Sequence, residues 1–189
     1  MKKMWKTLVS SLILLMLVGC GASGKKEVVL GELKNTEGDF QFSGLAWERS
    51  LAEVEEALGC TLSDMGGVDE VREYKVEEPF FWKGMEGVML CEFAQDKLNT
   101  VSIHFTSEEA GQEAFWEDLK SELCVLYGNV DENVQTSTAG DLQITTESVS
   151  YLWESASNRH TALSISKLSV NGQFRYIALN VYIVPEKEK

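Results

Sequence analysis

The sequence predicts an α+β fold in which two αβββ units share one antiparallel sheet, with the helices on one face. Two capping-box patterns, Ser50–Glu53 and Thr106–Glu109, begin 56 residues apart. A helical pattern follows each box, and three strand candidates follow each helix. We expect the two units to form one domain of residues 39–189, with pseudo-repeats at about 39–105 and 106–185.

The first unit begins with a short amphipathic helix. The Ser50 hydroxyl can cap the amide of Glu53, and the Glu53 side chain can reach back to the amide of Ser50. Apolar residues at spacings of three and four then form one face, and Gly59 ends the helix. The three strand candidates that follow are Val71–Glu77, Val88–Phe93 and Asn99–Phe105. In the last of them apolar and polar residues alternate, so one face should join the core and the other should contact water.

The second unit repeats this order. A helix is predicted from Ser107 to Tyr127, and a polar loop follows over residues 129–141. The three strand candidates are Leu142–Trp153, His160–Leu168 and Phe174–Val184. Asn171-Gly172 joins the last two, and this dipeptide is typical of a tight hairpin.

The first twenty residues form the most specific motif in the chain. Lys2, Lys3 and Lys6 precede an apolar run at residues 8–18, which is shorter than the about 20 residues that a membrane span needs. This arrangement predicts a secretory signal peptide. The run ends in LVGC at residues 17–20, which resembles the lipobox of bacterial lipoprotein precursors.

The lipobox resemblance implies that Cys20 is lipidated through a thioether and that residues 1–19 are a cleaved signal peptide. Residues 20–38 are then the lipidated cysteine and a flexible tether. The protein is expected at the extracytoplasmic face of the cell membrane, because acyl chains on one residue can anchor a domain without a spanning helix. An ordinary secretory signal with a chance cysteine is the alternative.

The stretch from Trp47 to Gly59 has the form W-x-x-S-x-x-E-V-x-x-x-L-G. It is similar to the helix opening of small bacterial lipoproteins of the SmpA/BamE-like and β-lactamase-inhibitor-like types. That resemblance implies helices that cover one side of a sheet and an uncovered side that is available to partners. A plain amphipathic helix is the alternative explanation of the same residues.

The chain is acidic, with 17 basic and 30 acidic residues and a formal net charge of −13. Removal of residues 1–19, which contain three lysines and no acid, changes the charge to −13 − 3 = −16. Phosphate backbones and anionic lipid headgroups repel such a chain. We therefore expect no nucleic-acid partner, and we expect membrane contact through the lipid on Cys20 alone.

The sequence contains no pattern typical of an active site or a metal centre. Nucleophile, nucleotide-binding and metalloprotease motifs are absent, and His104 is expected to be a solvated strand residue. Cys60, Cys91 and Cys124 lack metal-ligand spacing and are expected to be apolar thiols; a bridge, if one forms, is expected between Cys60 and Cys91. We expect no enzyme activity, no metal and no cofactor.

Two groups of aromatic residues are candidates for a binding surface. Phe80, Phe81 and Trp82 are adjacent, and three neighbouring rings cannot all point into one core face. Tyr176 and Tyr182 are expected on the face of the last strand that points away from the core, where Tyr151 or Trp153 on a neighbouring strand could complete the patch. Core packing by two rings of the first group, with the third as incidental surface, is the alternative for that group.

These features predict a surface-tethered bacterial lipoprotein that acts as a non-catalytic binding module in the cell envelope. Its partner is expected to be an envelope or extracellular protein, recognised by exposed aromatic residues. A small extracytoplasmic enzyme or ligand carrier with an unrecognised site is the alternative. A pocket with converging polar groups would favour the alternative, whereas an aromatic sheet surface would favour the binding module.

We predict that Cys20→Ser abolishes membrane retention without unfolding the domain, because the lipid anchor and the core lie on separate segments. Fractionation of cells that produce the variant should recover it outside the membrane fraction. The matched control is Cys124→Ser, which should stay with the membrane. A Cys20→Ser chain that still sediments with membranes would contradict the lipobox interpretation.

Overall fold

The computed structural model describes residues 26–42, 44–106, 111–139, 144–156 and 159–184. It contains 52% strand and 18% helix, and its strands form one ten-stranded mixed sheet. The predicted α+β fold with two αβββ units is therefore wrong. Cys20 and residues 107–109 of the second predicted capping box lie outside the described residues.

In chain order the described strands and α-helices are β1 (Lys26–Glu27), α1 (Leu51–Leu58), β2 (Leu62–Val68), β3 (Val71–Val76), β4 (Phe80–Trp82), β5 (Met85–Ala94), β6 (Lys97–Phe105), α2 (Gln112–Tyr127), β7 (Asn133–Ala139), β8 (Ile144–Glu154), β9 (Thr161–Val170) and β10 (Gln173–Ile183). A short 3₁₀ turn lies at Leu30–Glu32.

The main path of the sheet has the order β1-β4-β5-β6-β10-β9-β8-β7. β1 and β4 are parallel, and the other described pairs are antiparallel. β4 pairs with residues 85–87 of β5 and β3 pairs with residues 90–94, so both lie along the edge of β5 that β6 leaves free. Among the described strands, β2 pairs with β3 only.

Three strands that the sequence does not predict break the expected repeat. β2 (LSDMGGV) contains two glycines that favour a turn, β4 has three residues, and β7 (NVQTSTA) has the polar composition of a loop. Pairing with a neighbouring strand stabilises β2 and β7, whose own hydrophobic patterns are weak, whereas β4 is stabilised both by pairing and by burial of Phe80 and Trp82. In the described chain, five strands therefore follow α1 and four follow α2.

The predicted first helix is confirmed. The Ser50 amide donates to the Glu53 carboxylate at 2.8 Å, and this hydrogen bond lowers the pKa of Glu53. Gly59 follows the helix with a φ of 68°, a conformation that glycine adopts without steric cost, and its amide donates to the Glu55 carbonyl at 2.8 Å. The second helix begins at Gln112 and not at Ser107, because Gly111 before it has a φ of 111°, and it ends at Tyr127, as predicted.

The predicted hairpin at Asn171-Gly172 is also confirmed. Both residues have positive φ values, 52° and 73°, which a tight turn between two right-twisted strands requires. The Asn171 amide donates to the Thr145 carbonyl at 2.7 Å, and its side chain accepts from the Thr145 amide at 2.8 Å. The turn is therefore also fixed to the start of β8.

One face of the sheet carries the core. A row of directly paired residues crosses five strands there, and each of its members is at most 3% exposed: Cys91, Val101, Val181, Leu163 and Trp153. Both α-helices contribute buried residues to this core: Val54 from α1, and Phe115, Trp116, Leu119 and Leu123 from α2. The described chain therefore has one hydrophobic core that both helices help to build.

The N-terminal part of the described chain packs into the same core. Val28, Leu30 and Leu33 are at most 5% exposed, and the Tyr127 hydroxyl donates to the Leu30 carbonyl. Apolar burial of this kind fixes the backbone. The expected tether therefore does not extend over residues 26–38.

We predict that Trp82→Ala lowers the free energy of unfolding by about 3–5 kcal/mol, because it removes a buried ring and leaves a cavity. Trp82 is 4% exposed, and its ring packs edge-to-face on Phe115 with 5.1 Å between ring centroids. Denaturant unfolding followed by circular dichroism measures the change. The control, Val125→Ala, alters a side chain that is 83% exposed and should change stability by less than about 0.5 kcal/mol. Similar losses in both variants would contradict the core assignment of Trp82.

Candidate functional site

The sheet has a second face, which points away from the core and which we term the open face. Strand register defines it: His104 pairs with Ala178, which pairs with Ser166, and Ser102 pairs with Asn180, which pairs with Ser164. These residues alternate with the buried row, so their side chains point to the opposite side. The buried residues of both α-helices belong to the core on the other face.

The centre of the open face is uncharged and rich in hydroxyl groups. On its central strands the register places these residues there: Thr100, Ser102 and His104 of β6, Tyr176, Ala178, Asn180 and Tyr182 of β10, and Ala162, Ser164, Ser166 and Leu168 of β9. β8 adds Ser148, Ser150 and Leu152. Glu92 on β5 and Glu154 at the end of β8 lie toward the margins of this area.

Tyr176 and His104 form a parallel stack at the centre of this surface. Their ring centroids are 4.6 Å apart and their planes differ by 4°. The contact follows from the register, because Tyr176 is two residues from Ala178, the partner of His104. Burial lowers the pKa of His104, so the imidazole in the stack is neutral at pH 7.

Tyr182 and Asn180 share one hydrogen-bond partner, the Ser164 hydroxyl. The Asn180 side-chain amide donates to Ser164 Oγ at 3.3 Å, and a hydrogen bond also links Ser164 to the phenol of Tyr182. Burial raises the pKa of Tyr182, although the Ser164 hydrogen bond lowers it, so the phenol keeps its proton. This group is therefore a fixed set of neutral donors and acceptors beside an aromatic ring.

The structure separates the two predicted aromatic groups. Phe80 and Trp82 are each 4% exposed and belong to the core, whereas Phe81 is half-buried and pairs with Glu86 at the margin of the open face. Two strands, β5 and β6, lie between this group and Tyr176, a separation of about 14 Å at the usual strand spacing. Two rings of Phe80, Phe81 and Trp82 therefore pack in the core, as in the alternative that the sequence left open.

Tyr176 and Tyr182 do lie on the face that the sequence predicts for them. Tyr151 and Trp153 do not join them, because both point into the core and are 8% and 3% exposed. The sequence does not identify their neighbours, because His104, Asn180 and Ser164 reach the tyrosines only through the pairing of β6, β10 and β9. Polar alternation in all three strands is the signal that marks these residues. It locates each on the open face but does not give the register that brings them together.

A groove of about 310 Å³ is the second feature with the shape of a site. It lies between the 3₁₀ turn and the end of α1. Its lining consists of the charged residues Lys26, Glu27 and Glu32 and of the apolar residues Val29, Leu33, Phe42, Ala57, Leu58 and Phe80. Its cation, Lys26, is held by the protein itself: Nζ lies 2.7 Å from Glu78 Oε2 and donates to the Leu58 carbonyl at 3.2 Å. The groove therefore offers apolar contact more than polar recognition.

The three cysteines of the described chain are free thiols, so the expected Cys60–Cys91 bridge is not present. Burial raises the pKa of Cys91 to about 12, which keeps this thiol protonated and unreactive. Within the described ranges, no cluster of three or more His, Cys, Asp or Glu side chains is placed to hold a metal ion. None of the helices in the described part of the chain is long and apolar enough to cross a membrane.

Comparison of the chain with protein-family models, with curated proteins and with solved structures found no match.

We predict that His104 makes the fold less stable below about pH 6.5. Its pKa is lowered from 6.5, so in the interval between the two values the unfolded chain binds more protons than the folded chain. Stability contributed by the neutral imidazole is therefore lost as the pH falls through that interval. Thermal melts on both sides of pH 6.5 should show a smaller loss for His104→Gln than for the unsubstituted chain.

The control for this experiment is His160→Gln, which replaces an exposed histidine that precedes β9. Its pH dependence should match that of the unsubstituted chain. If His104→Gln and His160→Gln lose stability equally on acidification, burial of His104 does not contribute to the pH response.

Proposed function

We propose that this protein is a lipid-anchored bacterial surface protein that binds another protein through the open face and is not an enzyme. The open face is the observation that carries the proposal: an uncharged area of sheet with a Tyr176–His104 stack at its centre and Tyr182 beside it. The lipobox at residues 17–20 supports the anchor and the extracytoplasmic location.

The composition of the open face is suited to protein recognition. Tyrosine provides a large, rigid contact area at low conformational cost, and Ser, Thr and Asn provide adaptable hydrogen bonds; the binding loops of antibodies combine the same residue types. The open face presents this combination on paired strands, where the backbone is already ordered. Binding there therefore costs little ordering entropy.

The charge distribution indicates what kind of partner fits. The mature chain is strongly acidic, and Glu92 and Glu154 lie toward the margins of the open face, while its centre is neutral. A partner should therefore meet the centre with neutral hydrogen-bonding and apolar groups, and it should carry no dense negative charge around them. An envelope or extracellular protein fits this description, whereas a nucleic acid does not.

A ligand carrier is the second candidate function, and the groove beside Lys26 is the observation that favours it. Its volume of about 310 Å³ is at the lower end of the range for small-molecule sites. Its cation is already paired with Glu78, and the other charged residues that line it, Glu27 and Glu32, are both acidic and would repel an anionic ligand. The open face offers more neutral hydrogen-bonding groups, and we therefore place the binding module first.

We predict that Tyr176→Ala weakens partner binding by about 2 kcal/mol, or about 30-fold in Kd, because truncation of a central aromatic residue removes an anchor of the interface. The partner is first captured from native cell envelopes with the mature chain and then titrated against purified variants. Val125→Ala is the matched control, since Val125 is 83% exposed on α2 and not on the open face.

A third variant, Ala57→Phe, fills the groove and separates the two candidate functions. Loss of binding in Tyr176→Ala alone supports the open face. The groove would be supported instead if Ala57→Phe loses binding while a folded Tyr176→Ala chain binds as before. Melting curves of each variant establish that the chains compared are folded.

A further inference from the structure

Among the described strands, β7 is the last strand of the sheet, and one of its edges is open. It pairs with β8 over seven residues without a register shift, and no other described strand pairs with it. Its residues 133–138 are all exposed. Along an antiparallel strand, alternate residues direct their N–H and C=O groups to one edge, so the free edge of β7 presents a row of unpaired donors and acceptors.

This edge lacks the features by which proteins usually prevent sheet extension. β7 has the sequence NVQTSTA, with no charged residue, no proline and no bulge, and it contains β-branched residues that favour strands. A strand of this length and composition can accept a further strand.

The other edges of the sheet are protected. A bulge between Asp64 and Gly66 interrupts β2, and a second glycine, Gly67, comes directly after it. Asp64 also places a charge on this strand and forms an ion pair with Arg72. The described part of β1 has two residues. The contrast indicates that the unprotected state of β7 is specific to that edge and not a general property of the sheet.

Charge favours a second copy of this chain as the strand that pairs there. With 30 acidic and 17 basic residues, two copies repel each other over most of their surfaces. β7 contains no charge, and the nearest preceding acid, Glu132, accepts a hydrogen bond from the Tyr151 hydroxyl at 2.6 Å within its own chain. The nearest carboxylate on the neighbouring strand is Glu147, which pairs with Thr136 and lies one strand behind the edge. In a β7–β7 pair the two Glu147 residues would be separated by three strand spacings, about 14 Å, so the edges can meet without placing carboxylates opposite each other.

The sequence of β7 is also compatible with itself in an antiparallel pair. With the two-fold axis at the centre of the strand, Thr136 lies opposite its own copy, Gln135 opposite Ser137, and Val134 opposite Thr138. Thr–Thr and β-branched pairs are favourable across antiparallel strands. Val134 is 53% exposed, and a neighbouring strand would cover it.

We propose that two copies of this protein associate through antiparallel pairing of their β7 strands, which joins the two sheets into one. The arrangement has the two-fold symmetry that most soluble dimers show, because the same edge serves both copies. It leaves the open faces of both copies free, and it presents two partner-binding surfaces on one continuous sheet.

Sedimentation of residues 21–189 tests this proposal; this chain keeps every residue of the described fold and its single core. The unsubstituted chain should sediment as a dimer with twice the mass of the monomer, and dilution should dissociate it. Thr136→Lys should be monomeric, because two lysines then face each other at the axis. Thr136 is exposed, so the melting temperature of the monomeric variant should fall no further than dissociation requires.

Two further measurements make the test specific. Leu152→Lys adds the same charge on β8, on the open face, and should remain dimeric. Thr136→Glu should also be monomeric, and an equal mixture of the Thr136→Lys and Thr136→Glu chains should restore the dimer, because opposite charges then meet at the axis. Restoration by mixing requires that residue 136 of one copy lies near residue 136 of the other.

Three results would overturn the proposal. One is a chain that stays monomeric at every concentration tested. Another is a dimer that Thr136→Lys does not dissociate. The third is a dimer that only Leu152→Lys dissociates, which would assign self-association to the open face.

Discussion

The pairing of β6 with β10 is the contact on which the rest of the structure depends. These strands are 68 residues apart at their closest ends, Phe105 and Gln173, yet they form the middle of the sheet, with Ile103 opposite Leu179 and Val101 opposite Val181. This ladder joins β1–β5 to β7–β9, and it aligns the buried row across both halves. It also sets the open face, because the register that buries Ile103 and Leu179 places His104 and Tyr176 on the other side. The core and the candidate site are therefore two consequences of one register.

Short sequence motifs correctly predicted those parts of the backbone that are fixed by interactions between residues close together in the chain. The capping box at Ser50, the glycine at residue 59 and the Asn171-Gly172 turn each fix a few residues of backbone, and each forms in the structure. β7 and residues 26–38 were not predicted, because pairing and burial against distant residues stabilise them. The αβββ repeat failed for the same reason: pairing adds strands with weak hydrophobic patterns, so strands cannot be counted from the sequence.

In the candidate site, too, the features that depend on one strand were predicted, and the features that depend on pairing between strands were not. Polar and apolar alternation in β10 was enough to place Tyr176 and Tyr182 away from the core, because a strand has a period of two. Alternation could not decide which rings of Phe80, Phe81 and Trp82 are buried, since all three are apolar. The pairing of β4 with β5 decides which rings are buried. Phe80 lies opposite Gly87, which in turn pairs with Phe105, while Phe81 lies opposite Glu86. Nor could the sequence place His104 against Tyr176, because that contact needs the β6–β10 register.

The distribution of charge connects the open face with the edge of β7. Acidic residues are concentrated elsewhere, for example at Glu53, Glu55 and Glu56 of α1, where they keep copies of the chain apart. Between solvent-exposed groups this repulsion decays over about 8 Å at physiological ionic strength, so at contact distance the short-range interactions decide which surfaces bind. The centre of the open face and β7 are both uncharged and rich in hydroxyl and amide groups. Such surfaces gain hydrogen bonds and packing on contact without a large cost for removing water from charges. The acidic surface thus opposes unspecific association, and these two neutral areas are where specific association costs least.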